Sequence, residues 1–146
     1  MKNKNNDHLG KYISLLNRQG AAFLTKKYSK LGIGAGQYMF MIHLYRNDGI
    51  SQEQLTEILN IDKGTTAKAI RKLEEVNLVT RVKDVSDKRV NKIYLTEQSL
   101  NIKKEFFEIL DIWESKLVSG LTDDEIELAL NVLKKLSKNA ITKEND

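Results

Sequence analysis

The chain has 146 residues, of which 40% are hydrophobic and 30% charged, a composition typical of a globular protein and not of a disordered one. It contains no cysteine, which excludes disulfide bonds, thiol redox sensing and cysteine-ligated zinc. No apolar run approaches the roughly 18 residues that a membrane span needs, and residues 1–7 lack the apolar stretch of a secretory signal, so we expect a cytoplasmic protein of a microbe without a membrane partner.

The net charge of +4 is concentrated in one part of the chain. Residues 62–92 contain nine basic and five acidic residues, whereas the rest of the chain contains 15 of each. A basic excess confined to about one fifth of a chain is the footprint expected of a protein that binds a polyanion. A solvated basic surface without such a partner is the alternative that charge alone leaves open.

The N-terminal part of the chain predicts two helices. Apolar residues recur at spacings of three and four, which indicates one face of a long helix over about residues 8–30. The glycine-rich residues 31–36 interrupt it. Residues 38–45 are apolar on nearly every side and predict a buried helix, which Asp48-Gly49 ends with a turn.

The next segment has the pattern of a helix-turn-helix motif. Ser51 and Gln54 can form the capping box of a short helix that stops at Asn60. Asp62 can cap the following helix, which has apolar residues on one side and polar and basic residues on the other. Two short helices joined by about three residues, the second rich in exposed basic groups, are typical of this DNA-binding motif.

A β-hairpin is predicted directly after the second helix of the motif. Asn77 ends that helix, because asparagine is second only to glycine as a left-handed cap. Residues 78–82 and 90–95 have the composition of strands, and the polar residues 83–89 between them form a turn. A hairpin in this place is the wing of a winged helix-turn-helix.

The rest of the chain predicts two more helices. Thr96 can cap a long helix that Gly120 terminates, and Thr122 with Glu125 can form the capping box of a last helix. The tail after Ile141 is expected to fray. The predicted fold is mainly α with a small β-wing, with six helices and a two- or three-stranded wing sheet.

Three local features resemble the multiple-antibiotic-resistance regulator (MarR) family. They are Asp62-Lys63-Gly64-Thr65 with Lys68, then Arg71-Lys72-Leu73-Glu74-Glu75 leading to Leu78-Val79 and Arg81, and Asp87-Lys88-Arg89 before a strand ending Leu95-Thr96. The order of helices on both sides also matches, so the resemblance covers nearly the whole chain. Asn77 stands where the family usually has glycine.

The resemblance implies a transcriptional regulator, specifically a repressor, that binds double-stranded DNA as a homodimer. Its winged helix-turn-helix DNA-binding region would span residues 34–97. N- and C-terminal dimerisation helices at 1–33 and 118–146 would flank this region, and residues 98–117 would form a long connecting helix. Such a dimer would bind a pseudo-palindromic operator and release it when a small ligand binds.

The residues predicted to form the DNA-binding surface are Ser51, Gln52, Lys63, Thr65, Thr66, Lys68, Arg71, Lys72, Arg81, Asp87, Lys88 and Arg89. Those on the second helix suit a helix whose N-terminal half enters the major groove. Arg89 is predicted to enter the minor groove, and Asp87 to hold Arg81 or Arg89 by a bidentate pair. Ser51 and Gln52 are placed for a phosphate. For Lys68, Arg71, Lys72 and Lys88, a solvated role is the alternative.

Tyr12, Tyr38, His43 and Tyr45 are candidates for a pocket that takes a small aromatic or phenolic ligand, as the resemblance implies, with core packing as the favoured alternative. Neither a cofactor nor a metal is expected, since two histidines are too few for a zinc site. An enzyme is not expected, because the chain lacks an activated nucleophile, paired carboxylates and a phosphate-binding loop. A winged-helix module that binds protein and no DNA is the main alternative.

Overall fold

The computed structural model describes residues 7–141, so residues 1–6 and the predicted fraying after Ile141 lie outside the described chain. The chain divides into two compact units, and the boundary between Trp113 and Glu114 falls within one helix. The first unit contains the helix-turn-helix and the hairpin, and the second contains the C-terminal helix. The prediction of a mainly helical fold with a small β-sheet is confirmed.

Two helices precede the helix-turn-helix, as the sequence predicts. Helix α1 (Leu9–Tyr28) continues into one 3₁₀ turn (Ser29–Leu31), which ends at Gly32 with a φ of 78°. That backbone conformation is left-handed and favours glycine. Helix α2 (Tyr38–Arg46) is the predicted buried helix, and its buried side chains are Phe40, Met41, Leu44 and Tyr45.

The helix-turn-helix consists of helix α3 (Gln52–Leu59) and helix α4 (Lys63–Glu75). The predicted capping box of α3 is present: Gln54 N donates to Ser51 Oγ at 3.1 Å, and Ser51 N donates to Gln54 Oε1 at 3.0 Å. Helix α3 ends at Asn60, whose φ of 49° is left-handed. The capping box therefore fixes where α3 begins, and the left-handed Asn60 fixes where it ends.

The wing is an antiparallel pair of strands, β1 (Val79–Lys83) and β2 (Asn91–Leu95). The other edge of β2 pairs with the segment that joins α2 to α3. Gly49 N donates to Ile93 O and Ile93 N donates to Ile50 O, both at 2.9 Å. The sheet therefore has two full strands, and a short segment pairs along the free edge of β2. This pairing connects the residues just before α3 to the wing.

Two helices follow the wing where the sequence predicts a single one, so the described chain has seven α-helices and not six. Helix α5 (Glu97–Asn101) and helix α6 (Lys103–Leu117) are separated at Ile102. Tyr45 Oη donates to Ser99 O at 2.5 Å. A continuous helix would direct this carbonyl to the N–H four residues later, so a tertiary contact from α2 competes with helix continuation.

Aromatic rings form the centre of the first unit. Phe106 packs on Tyr28 and on Tyr45, with ring centroids 4.8 Å and 5.1 Å apart, and Tyr28 Oη donates to Phe106 O at 3.0 Å. The same core includes Leu55 of α3 and Ile70 of α4, both 0% exposed. Both helices of the motif are therefore anchored in one apolar core.

The second unit contains helix α7 (Asp123–Ile141), which follows a turn at Gly120 with a φ of 82°. Its predicted capping box is present: Glu125 N donates to Thr122 Oγ1 at 3.2 Å, and Thr122 N donates to Glu125 Oε2 at 2.8 Å. None of the residues of α7 from Asp123 to Ile141 is buried. Across residues 7–141, no helix is both long and apolar enough to cross a membrane.

Candidate nucleic-acid interface

Helix α4 presents a basic face because its apolar residues are turned into the core. Side chains three and four positions apart share one face of a helix, and here Ala69, Ile70 and Leu73 are buried. The basic residues of α4 that were predicted to contact DNA are all exposed, namely Lys63, Lys68, Arg71 and Lys72. The thirteen-residue helix thus offers four cationic side chains to a partner in solvent.

Asp62 caps the N-terminus of α4, as predicted. Thr65 N donates to Asp62 Oδ1 at 2.8 Å, and Thr65 Oγ1 donates to Asp62 Oδ2 at 2.6 Å. These hydrogen bonds, with that from the Thr65 hydroxyl as the largest cause, hold the pKa of Asp62 below its ordinary value. The cap keeps the exposed side chain of Thr65 in one orientation at the start of the helix.

Thr66 faces the core, so the predicted DNA contact at this residue is corrected. Its side chain is 0% exposed, and its Oγ1 donates to Asp62 O at 3.1 Å. Successive residues point about 100° apart around a helix, which turns Thr66 inward while Thr65 faces solvent. The Thr66 hydroxyl is engaged by a backbone carbonyl at the start of α4 and is not available at the surface.

Two aspartates order the tip of the wing. Asp84 Oδ1 accepts hydrogen bonds from the backbone N–H and the hydroxyl of Ser86, both at 3.1 Å. Arg89 Nε and Nη2 donate to the two carboxylate oxygens of Asp87, each at 3.1 Å, which is the bidentate pair predicted as one of two alternatives. The Arg89 side chain remains 90% exposed, and Lys88 beside it is also exposed. Asp87 therefore orients a guanidinium that is open to a partner.

Arg81 pairs with Glu74 and not with Asp87. Arg81 Nη2 lies 3.1 Å from Glu74 Oε2, and the two side chains are 32% and 29% exposed. Asn77, left-handed with a φ of 60°, reverses the chain between them as predicted. Sequence reasoning did not consider Glu74 as a partner, because the pairing depends on how this turn brings the end of α4 beside β1.

Helix α3, the start of α4 and the wing border a polar cavity of about 150 Å³. Three residues predicted at the interface meet there: Gln52, Lys63 and Arg89. Gln52 Oε1 is buried and, within the described chain, has no hydrogen-bond partner. Ser51 is partly buried and its hydroxyl is engaged in the capping box. Lys63 of α4 and Arg89 of the wing therefore border the same cavity, together with Glu53 of α3.

Asp48 supports the wing in a way that sequence reasoning missed. Leu95 N donates to Asp48 Oδ1 at 2.7 Å. The next residue, Gly49, has a φ of 82°, and a Cβ atom added to it would lie 2.8 Å from Tyr94 Cε1. The Asp-Gly pair predicted the turn. The hydrogen bond between Leu95 and Asp48 joins residues 47 positions apart, so no local sequence pattern predicts it.

The four residues named for an aromatic-ligand pocket lie on two helices, with Tyr38, His43 and Tyr45 on α2 and Tyr12 on α1. Tyr38 and Tyr45 pack against other rings of the core. Tyr12 is exposed, donates from its hydroxyl to Asp7 at 2.8 Å, and lies about 24 Å along α1 from the last residue of that helix. His43 is partly buried, and burial, together with a nearby arginine, lowers its pKa. For Tyr38 and Tyr45, this placement favours the core-packing alternative.

Comparison with known proteins identifies relatives along most of the chain. The model of the MarR family matches residues 33–90. The uncharacterized HTH-type transcriptional regulator YybA of Bacillus subtilis (strain 168) is 29% identical over 113 residues, which cover 77% of this chain and 75% of that protein.

Solved structures extend the likeness. A MarR transcriptional regulator from Methanosarcina mazei Go1 is 39% identical, with a TM-score of 0.84 over 91% of this chain and 96% of that one. A putative MarR family transcriptional regulator from Listeria monocytogenes, complexed with 26mer DNA, has the same fold at 24% identity, with a TM-score of 0.85 over 91% of this chain and 89% of that one. Regulators of this kind are not enzymes. The chain belongs to the MarR family of transcriptional regulators.

Proposed function

We propose that this protein is a sequence-specific DNA-binding repressor that acts in the cytoplasm. The observation that carries the proposal is that Lys63 at the start of α4 and Arg89 on the wing line one cavity, so the two basic elements act together on one ligand. Helix α4 would lie in the major groove, where lysine and arginine reach guanine edges and phosphates. Arg89 would lie along the minor groove, whose negative potential attracts a guanidinium.

The Listeria monocytogenes relative supports this proposal, because a protein of the same fold is complexed with a 26mer DNA. The electrostatics agree with it as well. All nine basic residues of the 62–92 segment lie on α4, the wing or the wing turn, while the rest of the chain is balanced in charge. An electropositive surface of this kind supplies the sequence-independent part of DNA affinity.

We propose further that two copies form a homodimer through their terminal helices. On α1, Leu9, Ile13 and Leu16 are 65%, 47% and 50% exposed. On α7, Leu130 and Leu133 are 49% and 50% exposed. Apolar stripes left open on a protomer mark an interface. A twofold dimer would present two copies of α4 to the half-sites of a pseudo-palindromic operator.

Release of DNA by a small aromatic or phenolic ligand stays a prediction from the family resemblance. The tyrosines and the histidine named for such a ligand are spread between the core and the exposed start of α1. A ligand that binds the DNA-free protein more tightly than the DNA-bound protein would lower the affinity for the operator. The factor is at most the ratio of the ligand's affinities for these two forms of the protein.

The test of DNA binding is the salt dependence of affinity for promoter fragments from the protein's own genome, followed by fluorescence anisotropy. A dimer that contacts roughly 6 to 10 phosphates should lose about a thousandfold or more in affinity between 50 and 200 mM salt. A nearly flat dependence would contradict the proposal and favour the winged-helix module that binds protein. Footprinting of a protected fragment then identifies the operator.

The test of dimerisation is sedimentation of the intact chain and of two matched variants. Leu16→Glu places a charge on the apolar stripe of α1, whereas Asn17→Glu places the same charge on the next, polar and exposed residue. We expect Leu16→Glu to shift the protein towards monomer and to lose operator affinity, with Asn17→Glu unchanged. A wild-type chain that sediments as a stable monomer at micromolar concentration would contradict the dimer.

A further inference from the structure

The hydroxyl proton of Thr65 is already used in a hydrogen bond within the protein. Its Oγ1 donates to Asp62 Oδ2 at 2.6 Å, while its backbone N–H donates to Asp62 Oδ1 at 2.8 Å. A distance of 2.6 Å is within the range for a hydroxyl that donates to an ionised carboxylate, one of the stronger classes of hydrogen bond. Asp62 therefore determines both the orientation of the Thr65 side chain and the position of its proton.

The direction of this hydrogen bond is set by the charge of Asp62. The hydrogen bonds from Thr65, that of the hydroxyl first, keep the pKa of Asp62 below its ordinary value, so the carboxyl group is ionised at neutral pH. An ionised carboxylate accepts hydrogen bonds and donates none. The shared proton consequently belongs to Thr65, and only the lone pairs of Thr65 Oγ1 remain for an outside partner.

Thr65 is exposed at the third position of α4, and Gly64 beside it has no side chain that would keep a partner away. On the major-groove edge of DNA, adenine N6 and cytosine N4 carry amino donors, whereas guanine N7, guanine O6 and thymine O4 only accept. Phosphate oxygens also only accept, and the carboxylate charge 2.6 Å from Thr65 Oγ1 repels them. The amino groups are the DNA groups that match this hydroxyl.

We infer that Thr65 reads DNA sequence by accepting a hydrogen bond from adenine N6 or cytosine N4 in the major groove, with its hydroxyl proton held by Asp62. The inference rests on the proposed function, because it requires α4 to lie in that groove. It adds the class of base edge that this position selects. The sequence alone leaves the Thr65 hydroxyl open to bases and to phosphates alike.

The alternative is that the pair of side chains only caps the helix, and two variants separate the possibilities. Thr65→Val has nearly the same shape but no hydroxyl, and its backbone N–H still finds the Asp62 cap. Asp62→Asn keeps a good N-cap. Because its carbonyl oxygen must face the Thr65 N–H, its amide NH₂ faces Thr65 Oγ1. This reverses the hydrogen bond and frees the hydroxyl proton for acceptors on DNA.

In the experiment, full-length wild-type protein and the variants Thr65→Val, Thr65→Ser and Asp62→Asn each select from a library of random DNA duplexes. Glu75→Gln, which removes one negative charge from the exposed end of the same helix, is the control for charge. We expect wild type, Thr65→Ser and Glu75→Gln to prefer adenine or cytosine at one position in each half-site. In Thr65→Val, the affinity ratio between the preferred and the other bases at this position should fall by about tenfold. Asp62→Asn should also bind duplexes that carry guanine or thymine there.

Base analogues test the same hydrogen bond directly. At the preferred position, nebularine lacks the amino group of adenine and zebularine lacks that of cytosine. The analogue should weaken wild-type binding by about tenfold and leave Thr65→Val unchanged. Base preferences that are the same in Thr65→Val as in wild type would overturn the inference, as would an equal loss of affinity for all sequences.

Two further outcomes are decisive. If Thr65→Val does not fold, as judged by its thermal melt, the comparison of Thr65→Ser with Asp62→Asn remains, and identical base preferences in those two overturn the inference. If wild type selects no sequence from the library, the proposed sequence-specific function fails, and this inference fails with it. A wild type that selects a motif indifferent to Thr65 and Asp62 refutes the inference alone.

Discussion

Glu74 in the last turn of helix α4 and Arg81 on strand β1 form an ion pair, with 3.1 Å between Oε2 and Nη2. The pair joins the helix that we place in the major groove to the first strand of the wing. Both side chains are about one-third exposed, so the contribution of the pair to folding stability is small, about 0–1 kcal/mol. It is one of the contacts that hold the wing beside α4, together with the hydrogen bond from Leu78 N to Leu73 O.

Glu74→Gln should weaken operator binding by about two- to fivefold, although it removes a negative charge, because the wing loses one of its side-chain contacts with α4. Fluorescence anisotropy on a fixed operator duplex measures the effect. Glu75→Gln removes the same charge from the neighbouring exposed residue and should leave binding unchanged or slightly tighter. Equal tightening by both variants would show that Glu74 acts only through its charge.

Asp87→Ala should reproduce part of the DNA-binding defect of Arg89→Ala, because Asp87 orients the guanidinium through two hydrogen bonds. Removal of the Arg89 side chain should cost on the order of 1–3 kcal/mol per half-site, and similarly on operator and scrambled duplexes, since the minor groove carries a degenerate pattern. Lys88→Ala removes one positive charge beside Arg89 and should cost less. Tighter DNA binding by Asp87→Ala would refute the positioning role of Asp87.

Gly49→Ala should destabilise the fold more than Gly36→Ala. Both glycines have a positive φ, 82° and 77°, which costs a residue with a Cβ atom about 1–2 kcal/mol. Only at Gly49 does the added Cβ meet a neighbour, Tyr94 Cε1 at 2.8 Å, which adds about 1 kcal/mol or more. Urea denaturation measures the difference. In a Tyr94→Ala background the two alanine variants should cost the same, and a persisting excess at Gly49 would exclude the clash as its cause.

Acid should destabilise the protein through three carboxyl groups of the DNA-binding region. Hydrogen bonds donated by the Thr65 hydroxyl, the Ser86 backbone N–H and the Arg89 side chain hold the pKa values of Asp62, Asp84 and Asp87 below the ordinary 3.8. A carboxyl group whose pKa is lower in the folded than in the unfolded chain adds to the free energy of unfolding. This contribution is complete at pH values above the unfolded-state pKa and is lost as the pH falls through the folded-state pKa. Melting temperatures measured from pH 6 to pH 2 should fall below about pH 4.

Asp62→Asn supplies the comparison for this acid dependence. Asparagine caps the helix without titrating, so the variant should lose less of its melting temperature between pH 4 and pH 2 than wild type does. Equal losses in the two proteins would show that Asp62 has the same pKa in the folded and unfolded chains.

The sequence by itself determined where several of the helices begin or end. The capping boxes at Ser51 and Thr122 close within three residues, and the left-handed turns at Asn60, Asn77 and Gly120 need only one suitable residue each. The two capping boxes, the end of α3 at Asn60 and the left-handed cap at Asn77 were predicted correctly because every group that forms them is adjacent in the chain. The bidentate contact of Arg89 with Asp87 is equally local, and the sequence predicted it as one of two alternatives.

Tertiary structure alone decided which side chains face a partner and which elements are joined. The partner of Arg81, the burial of Thr66 and the break at Ile102 all depend on how α2, α4 and β1 pack on one another. The periodicity of α4 predicts an apolar face, but the width of that face is set by the neighbours that cover it. Hydrogen bonds between distant residues, such as that from Leu95 N to Asp48, form only after the chain has folded, so no local pattern of residues encodes them.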